Sequence, residues 1–162
     1  MGISSQNMKI LITGGCGYKG SVLIPKLLND GHEIINIDTQ WFGNHLKESP
    51  NLKNLKFDVR DTASIPMQGI DTIIHLANIA NDPAVELNPT LSWEVNLLAG
   101  QQLIDKAARN GVGHFIFASS GSVYGIKDEE KVTEDLPLVP ISIYNKTKMV
   151  AERVFLSYQD KL

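Results

Sequence analysis

The 162-residue sequence has little cysteine, no long apolar segment and no strong charge of either sign. Its single cysteine, Cys16, excludes an intrachain disulfide and a cysteine-rich metal site. No apolar run is long enough to cross a membrane and residues 1–8 lack a signal peptide's apolar segment, so we expect a cytoplasmic protein. A net charge of −3 gives no electrostatic reason to expect nucleic acid or a membrane as partner. His75 has no second ligand nearby at metal spacing and the other three histidines are scattered, so we expect no metal.

What the sequence does contain is an alternation of short apolar runs with longer helical patterns. Nearly continuous apolar runs such as Ile10-Leu11-Ile12 are typical of strands that helices cover on both faces. The pattern predicts strands at residues 9–13, 33–37, 55–58, 72–76 and 114–118, and helices at residues 21–29, 89–110 and 144–158. This order predicts an α/β fold with a doubly wound parallel sheet and helices on both faces. We expect one domain over residues 9–162 after a disordered lead at residues 1–8.

A glycine-rich turn follows the first predicted strand and opens the first helix, in Thr13-Gly14-Gly15-Cys16-Gly17-Tyr18-Lys19-Gly20. Glycines at positions 14, 17 and 20 let the backbone turn tightly, approach a pyrophosphate and pack the helix on the strand. The start of the helix offers free N–H groups and the positive end of its dipole to an anion. A tight turn without a ligand is the alternative, but the strand and helix on either side favour ligand binding. Lys19 could contact phosphate or be a solvated surface lysine.

Asp38 ends the second predicted strand, 18 residues after Gly20. A carboxylate at this position can accept hydrogen bonds from an adenosine ribose and would repel a 2′-phosphate. The sequence therefore favours NAD over NADP. Capping of a turn at the end of the strand is the alternative interpretation.

A tyrosine and a lysine lie four residues apart in Tyr144-Asn145-Lys146-Thr147-Lys148. On a helix this spacing places both side chains on one face. An ammonium beside a phenol stabilises the phenolate, so such a pair can serve as a general base for a substrate hydroxyl. The spacing occurs often by chance, and it becomes informative only together with the glycine-rich turn and Asp38.

Together these features resemble the extended short-chain dehydrogenase/reductase family, in particular its NAD-dependent sugar-nucleotide epimerases and dehydratases. Asp58-Val59-Arg60-Asp61 is similar to the acidic motif that contacts adenine, although Asp58 and Asp61 could instead cap a turn. His75-Leu76-Ala77-Asn78 is similar to the H-x-A-A segment, with Asn78 in place of the usual small residue. Ser119-Ser120-Gly121-Ser122-Val123-Tyr124-Gly125 resembles the S-S-x-x-V-Y-G signature. His75 itself is expected to be a buried, hydrogen-bonded histidine.

The resemblance implies a Rossmann-like NAD-binding domain whose catalytic residues are Ser120, Tyr144 and Lys148. Tyr144 would remove a proton from a hydroxyl of a nucleotide-bound hexose, typically at C4, while hydride passes to NAD⁺. Ser120 would orient that hydroxyl, and Lys148 would hold the nicotinamide ribose. The implied cofactor contacts are Gly14, Gly17, Tyr18, Lys19, Gly20, Asp38, Asp58, Val59, Leu76, Ala77, Asn78, Asn96, Tyr144 and Lys148.

The resemblance leaves several functions open, of which a sugar-nucleotide epimerase comes first and an NAD-dependent oxidoreductase second. A dehydratase is disfavoured because Gly121 and Ser122 stand where that subclass would carry an Asp-Glu pair, and Asp38 disfavours an NADPH-dependent reductase. Family members are considerably longer, and their later half supplies most of the nucleotide-sugar pocket. We therefore expect that the C-terminal substrate-binding part is absent, and a non-catalytic NAD-binding module is the alternative from another class. A homodimer through the helices near Asn96 and Tyr144 is also implied, although the apolar residues there could equally serve the core.

Overall fold

The computed structural model describes residues 7–162, so most of the expected disordered lead lies outside the described residues. Met8, which we placed in that lead, is held in the domain. Its N–H donates to Nδ1 of His32 at 3.1 Å, and its carbonyl oxygen accepts from the N–H of Glu33 at 2.9 Å. No helix within the described range is long and apolar enough to cross a membrane.

Within residues 7–162, five parallel strands form one sheet in the order β3-β2-β1-β4-β5. They span Lys9–Thr13 (β1), Glu33–Asp38 (β2), Leu52–Lys56 (β3), Thr72–His75 (β4) and His114–Phe117 (β5). The chain adds strands outward from β1 in one direction and then, from β4, in the other. A crevice opens at the carboxyl ends of the strands where this reversal occurs. The predicted doubly wound parallel sheet is confirmed.

The described part of the chain has five α-helices beside the sheet, and two of the predicted helices are confirmed with small shifts at their ends. The helices span Tyr18–Asn29 (α1), Asp82–Leu87 (α2), Pro89–Trp93 (α3), Gly100–Arg109 (α4) and Ile143–Leu156 (α5). The single helix predicted at residues 89–110 consists of α3, a π-helical segment at Glu94–Ala99 and α4. The short α2 was not predicted. Its cap, in which the Asn81 side chain accepts from the N–H of Ala84 at 3.1 Å, is a recognisable start signal.

The third strand begins three residues and ends two residues earlier than predicted, at Leu52–Lys56 instead of residues 55–58. It pairs with β2 from Ile34 opposite Leu52 to Asp38 opposite Lys56. Because β3 is the outermost strand on its side and carries several polar residues, no continuous apolar run marks it. As a consequence, Asp58 follows the strand and does not end it.

Alternate residues of the strands feed two apolar cores on opposite faces of the sheet. Leu11 packs on one face with Leu103 of α4, whereas Ile10 and Ile12 pack on the other with Ile24 of α1. All of these side chains are almost completely buried. Each fully buried side chain of this size contributes about 1.5–3 kcal/mol relative to exposure. Helices therefore cover both faces of the sheet, as predicted, and leave the carboxyl ends of the strands open.

Candidate active site

A cavity of about 540 Å³ lies at the carboxyl ends of the strands. This volume is within the range of small-molecule binding sites. The structure brings most of the predicted site residues together around it: Gly14, Gly17, Tyr18, Lys19, Asp38, Asp58, Val59, Leu76, Ala77, Asn78, Tyr144 and Lys148. Three predicted residues, Gly20, Asn96 and Ser120, do not line it. The geometry of each group shows why.

The glycine-rich turn between β1 and α1 leaves no room for a side chain at Gly14 or Gly20. Gly14 has φ +75°, and a Cβ there would lie 2.5 Å from the backbone nitrogen of Ala77. Its N–H donates to the carbonyl oxygen of Ile37 at 2.8 Å, which fixes the turn against β2. A Cβ on Gly20 would lie 2.4 Å from Cα of Gly15, so Gly20 serves the packing of α1 on the turn. This packing role explains why Gly20 does not face the cavity.

A buried asparagine in β2, which sequence reasoning missed, supports the turn from below. The Asn36 side chain accepts from the N–H of Gly15 at 2.9 Å and donates to Oδ1 of Asn54 at 2.9 Å. Asn36 is completely buried. The available signal was a polar residue inside the apolar run Ile34-Ile35-Asn36-Ile37, because a buried amide requires hydrogen-bond partners.

Asp38 is held at the edge of the cavity by two backbone groups. Its Oδ2 accepts from the N–H of Cys16 at 2.9 Å, and its Oδ1 accepts from the N–H of Gln40 at 2.7 Å. The turn-capping role that we considered as an alternative is therefore present. Each carboxylate oxygen has a further lone pair, so Asp38 can still accept a hydrogen bond from a ligand hydroxyl.

Lys148 is a buried ammonium beside the cavity. Its Nζ donates to the carbonyl oxygen of Ala118 at 2.8 Å and lies 4.6 Å from the centroid of the Phe117 ring. Burial, and after it the charge of Lys19, lowers the pKa of Lys148 to about 8. An ammonium has three N–H donors, and within residues 7–162 only one acceptor contacts this one. Since Tyr144 lines the same cavity one helical turn earlier, Lys148 can bond a ligand close to the phenol.

Asn96 lies in the π-helical segment and acts as a bridge between two walls of the cavity. Its Oδ1 accepts from the N–H of Ile79 at 2.7 Å, and its Nδ2 donates to the Ile79 carbonyl oxygen at 3.1 Å and to Oγ1 of Thr147 at 3.2 Å. Ile79 follows β4, and Thr147 lies on α5 between the tyrosine and the lysine. Asn96 thus positions cavity-lining segments, and a direct contact of Asn96 with a cofactor stays a prediction.

Ser120 begins a single 3₁₀ turn, Gly121–Tyr124, outside the cavity. Its Oγ lies 2.7 Å from Oγ of Ser122, and the residue lines a neighbouring depression of about 1140 Å³. Ser119, in contrast, lines both spaces and donates to Oε2 of Glu152 at 2.5 Å. The structure therefore does not bring Ser120 to the wall that carries the tyrosine and lysine. Sequence reasoning missed the Ser119–Glu152 bond, for which no local pattern gives a signal.

Asp58 lines the cavity, and its side chain also caps the turn that follows it. Its Oδ1 accepts from the N–H of Arg60 at 2.9 Å, and its Oδ2 lies 2.8 Å from Nη2 of the same arginine, which also contacts Glu94 at 2.7 Å. Hydrogen bonding to the Arg60 guanidinium lowers the pKa of Asp58. A negatively charged carboxylate with a fixed orientation therefore stands at this side of the cavity.

His75 at the end of β4 is a buried, hydrogen-bonded histidine, as expected. Its Nδ1 lies 2.7 Å from Oγ1 of Thr13, and burial, followed by the charge of Lys148, lowers the pKa of His75 to about 3. The imidazole is therefore neutral at physiological pH. It serves the packing beneath the cavity.

Comparisons with known proteins agree with this geometry. An uncharacterized UDP-glucose epimerase of Bacillus subtilis, YtcB, is 36% identical, and the match covers 94% of this chain and 52% of that protein. A UDP-glucose 4-epimerase of Lactobacillus helveticus is 30% identical over 95% of this chain and 48% of its own length.

Two solved structures share the fold. A UDP-N-acetylglucosamine 4-epimerase from Methanobrevibacter ruminantium, in complex with UDP-N-acetylmuramic acid, superposes with a TM-score of 0.88 at 26% identity, covering 96% of this chain and 51% of that one. A UDP-glucose 4-epimerase of Thermus thermophilus in complex with NAD superposes with a TM-score of 0.84 at 29% identity. The match covers 94% of this chain and 51% of that one. The chain thus spans about half the length of the relatives it matches. Because the profile of the NAD dependent epimerase/dehydratase family matches residues 10–162, this chain belongs to that family.

Proposed function

We propose that this chain is an NAD-dependent sugar-nucleotide epimerase, or the NAD-binding part of one, in which hydride is removed from a hexose carbon, C4 first, and returned to the opposite face. One observation carries the proposal. A single cavity joins the glycine-rich turn, Asp38 and the pair Tyr144 and Lys148. The names of the relatives, UDP-glucose and UDP-N-acetylglucosamine 4-epimerases, support a nucleotide sugar as the substrate class.

The residues present fit NAD. The glycine-rich turn approaches Ala77 too closely for a side chain at Gly14, and it lines the cavity at the start of α1, where backbone N–H groups favour an anion. Asp38 would accept from the adenosine ribose, and Lys148 would donate to the nicotinamide ribose. Asp58 and Val59 would contact adenine. When bound, NAD⁺ supplies the hydride acceptor and the protein supplies position and field.

The proposed proton chemistry rests on Tyr144. The buried Lys148, whose pKa of about 8 leaves it mostly protonated at neutral pH, places a positive charge in the cavity that Tyr144 also lines. The Tyr144 oxygen would take the proton of a substrate hydroxyl as general base. Ser120 would orient that hydroxyl. Ser119 lines the cavity and can still accept a hydrogen bond, so it is the alternative candidate for orienting the hydroxyl.

Two alternatives accompany the proposal. An NAD-dependent oxidoreductase of the same family would use the same residues without returning the hydride. A non-catalytic NAD-binding module, the alternative from another class, would use the same cavity to hold NAD without turnover. A cytoplasmic location and a homodimer complete the proposal. The half-exposed Leu98, on the helix that carries Asn96, supports the dimer.

Titration calorimetry with NAD⁺ and a turnover assay with a panel of UDP-sugars test the proposal. We expect NAD⁺ to bind, and we expect Tyr144→Phe to abolish turnover while leaving NAD⁺ affinity within a few-fold of wild type. A chain that binds no NAD⁺ would contradict the proposal. NAD⁺ binding with no turnover, unchanged by Tyr144→Phe, would favour the non-catalytic module. Comparing Ser119→Ala with Ser120→Ala shows which hydroxyl orients the substrate.

A further inference from the structure

Two adjacent aromatic residues protrude at the rim of the cavity. Trp41 is 60% exposed and Phe42 is 88% exposed, yet both line the cavity. They follow β2 and come three and four residues after Asp38. Large aromatic side chains are costly to expose, and an exposed apolar patch beside a cavity indicates a binding surface. Neither the glycine-rich turn nor the tyrosine–lysine pair accounts for them.

The segment that carries these side chains is a fixed turn. The N–H of Gly43 donates to the carbonyl oxygen of Gln40 at 3.0 Å, which closes a four-residue turn with Trp41 and Phe42 at its tip. Gln40 has φ +58° and Gly43 has φ +88°. A non-glycine residue in this region is uncommon and costs about 1–3 kcal/mol, so surrounding bonds must hold it. The Asp38 carboxylate does so by accepting from the N–H of Gln40 at 2.7 Å.

The same carboxylate links the aromatic turn to the glycine-rich turn, because its other oxygen accepts from the N–H of Cys16 at 2.9 Å. A ribose bonded to Asp38 would therefore lie between the pyrophosphate position and the aromatic tip. The purine base, attached to the far side of that ribose, would extend towards the end of β3. There the cavity is lined by Phe57, Asp58 and Val59.

We propose that Trp41 and Phe42 form an aromatic clamp that stacks on the purine base of the dinucleotide bound in the cavity. The inference rests on the proposed function, since it assigns the adenosine half of the cofactor to this end of the cavity. A purine presents a flat π-face that indole and phenyl rings recognise. The pre-formed turn reduces the ordering cost of such a contact.

Binding of three probes to the intact chain tests the clamp: NAD⁺, ADP-ribose, which lacks nicotinamide, and nicotinamide mononucleotide, which lacks adenosine. Stacking predicts that Trp41→Ala and Phe42→Ala each weaken NAD⁺ and ADP-ribose by about 5- to 100-fold. Nicotinamide mononucleotide should bind all variants equally. Trp41→Phe keeps a π-face and should restore most of the loss. Leu87→Ala, which also truncates a side chain that is 88% exposed but lies outside the cavity, is the matched control.

Tryptophan fluorescence gives a second measurement. The chain has two tryptophans, so Trp93→Phe leaves Trp41 as the only indole, and its emission should change with ADP-ribose but not with nicotinamide mononucleotide. If wild type binds NAD⁺ but both alanine variants bind ADP-ribose as tightly as wild type, the clamp is wrong and the proposed function stands. The clamp is also wrong if the alanine variants bind all three probes equally more weakly than wild type. It is wrong as well if these variants lose self-association while their affinity for NAD⁺ and ADP-ribose is unchanged. If wild type binds none of the probes, the proposed function fails first.

Discussion

Acid should weaken the fold through His75, in a pH range above that of the carboxylates. The imidazole is 1% exposed, its ring packs among Phe115, Phe117 and Phe155, and its pKa is lowered to about 3 from the ordinary 6.5. In the unfolded chain this group takes up a proton near its ordinary pKa, whereas in the folded chain it stays neutral. Its contribution to stability is therefore complete above pH 6.5 and is lost progressively as the pH falls towards 3.

The linkage relation gives the size of the effect. Between pH 7.5 and pH 5, protonation of the unfolded chain alone should lower the free energy of unfolding by about 2 kcal/mol. The full difference between the two pKa values corresponds to about 5 kcal/mol and would be reached only near pH 3. Urea denaturation followed by circular dichroism at several pH values in this range measures the loss directly.

The matched variants are His75→Asn and His45→Asn. An asparagine at position 75 keeps a side-chain acceptor for Thr13 but cannot titrate, so most of the loss between pH 7.5 and pH 5 should disappear. The void it leaves lowers stability by about 2–4 kcal/mol at every pH, which does not alter the slope. His45→Asn removes an exposed imidazole and should keep the wild-type slope. Equal losses in wild type and His75→Asn would refute the reasoning.

Three further predictions concern the site. Gly14→Ala should abolish NAD⁺ binding in calorimetry, because the new Cβ would collide with the backbone of Ala77. The control is Gly111→Ala, at a position that also has a positive φ (+71°) but open space around it. This variant should bind NAD⁺ normally and lose only about 1 kcal/mol of stability in urea denaturation. Lys148→Met should raise the melting temperature at pH 7, because the cost of burying this ammonium is fully present below pH 8 and is relieved only as the pH rises towards 10.5. The same variant should weaken NAD⁺ binding at least tenfold, because it removes the proposed donor to the nicotinamide ribose. An unchanged or lower melting temperature would contradict the prediction. Asn96→Ala should cost about 1–3 kcal/mol in urea denaturation, because the Ile79 N–H loses its acceptor while the Ile79 carbonyl oxygen keeps its bond from the Asn78 side chain; Thr147→Val leaves both Asn96–Ile79 bonds in place and should cost less.

Much of the fold was predictable because its information is local. The inner strands are apolar runs that are buried on both faces, and β1 and β4 lie within one residue of their predicted ends. The outer strand β3 was misplaced because Lys53, Asn54 and Lys56 interrupt the apolar pattern. Its position is set by pairing with β2, which is not a local property. The π-helical segment was also missed, since its wider turn leaves the apolar pattern of residues 89–110 looking like that of one helix.

The residues of the candidate site likewise fall into those that a short sequence pattern reveals and those that depend on distant contacts. The glycine-rich turn, Asp38 and the tyrosine–lysine pair are recognised by spacing within short segments, and the structure brings them to one cavity. Asn36 stands out locally as a polar residue in an apolar run, but its partner Gly15 lies 21 positions away and no short pattern reveals it. Glu152 acts on Ser119, which is 33 positions away, and has no local signal at all. Trp41 shows a third case. Its aromatic character was visible in the sequence, but its importance depends on where the turn places it.

The bonds made by Asn96 bear on how this domain can be recombined with its relatives. The Asn96 side chain joins the segment after β4 to α5, the helix that carries the tyrosine and lysine. We therefore expect that α5 cannot be replaced by the corresponding helix of a relative without also replacing Asn96. A crossover between residues 96 and 147 would pair an asparagine from one parent with a hydroxyl from the other, and a crossover between residues 79 and 96 would separate that asparagine from its own segment after β4. Libraries built from these enzymes should therefore keep Ile79, Asn96 and Thr147 in one inherited block and place their junctions before β4.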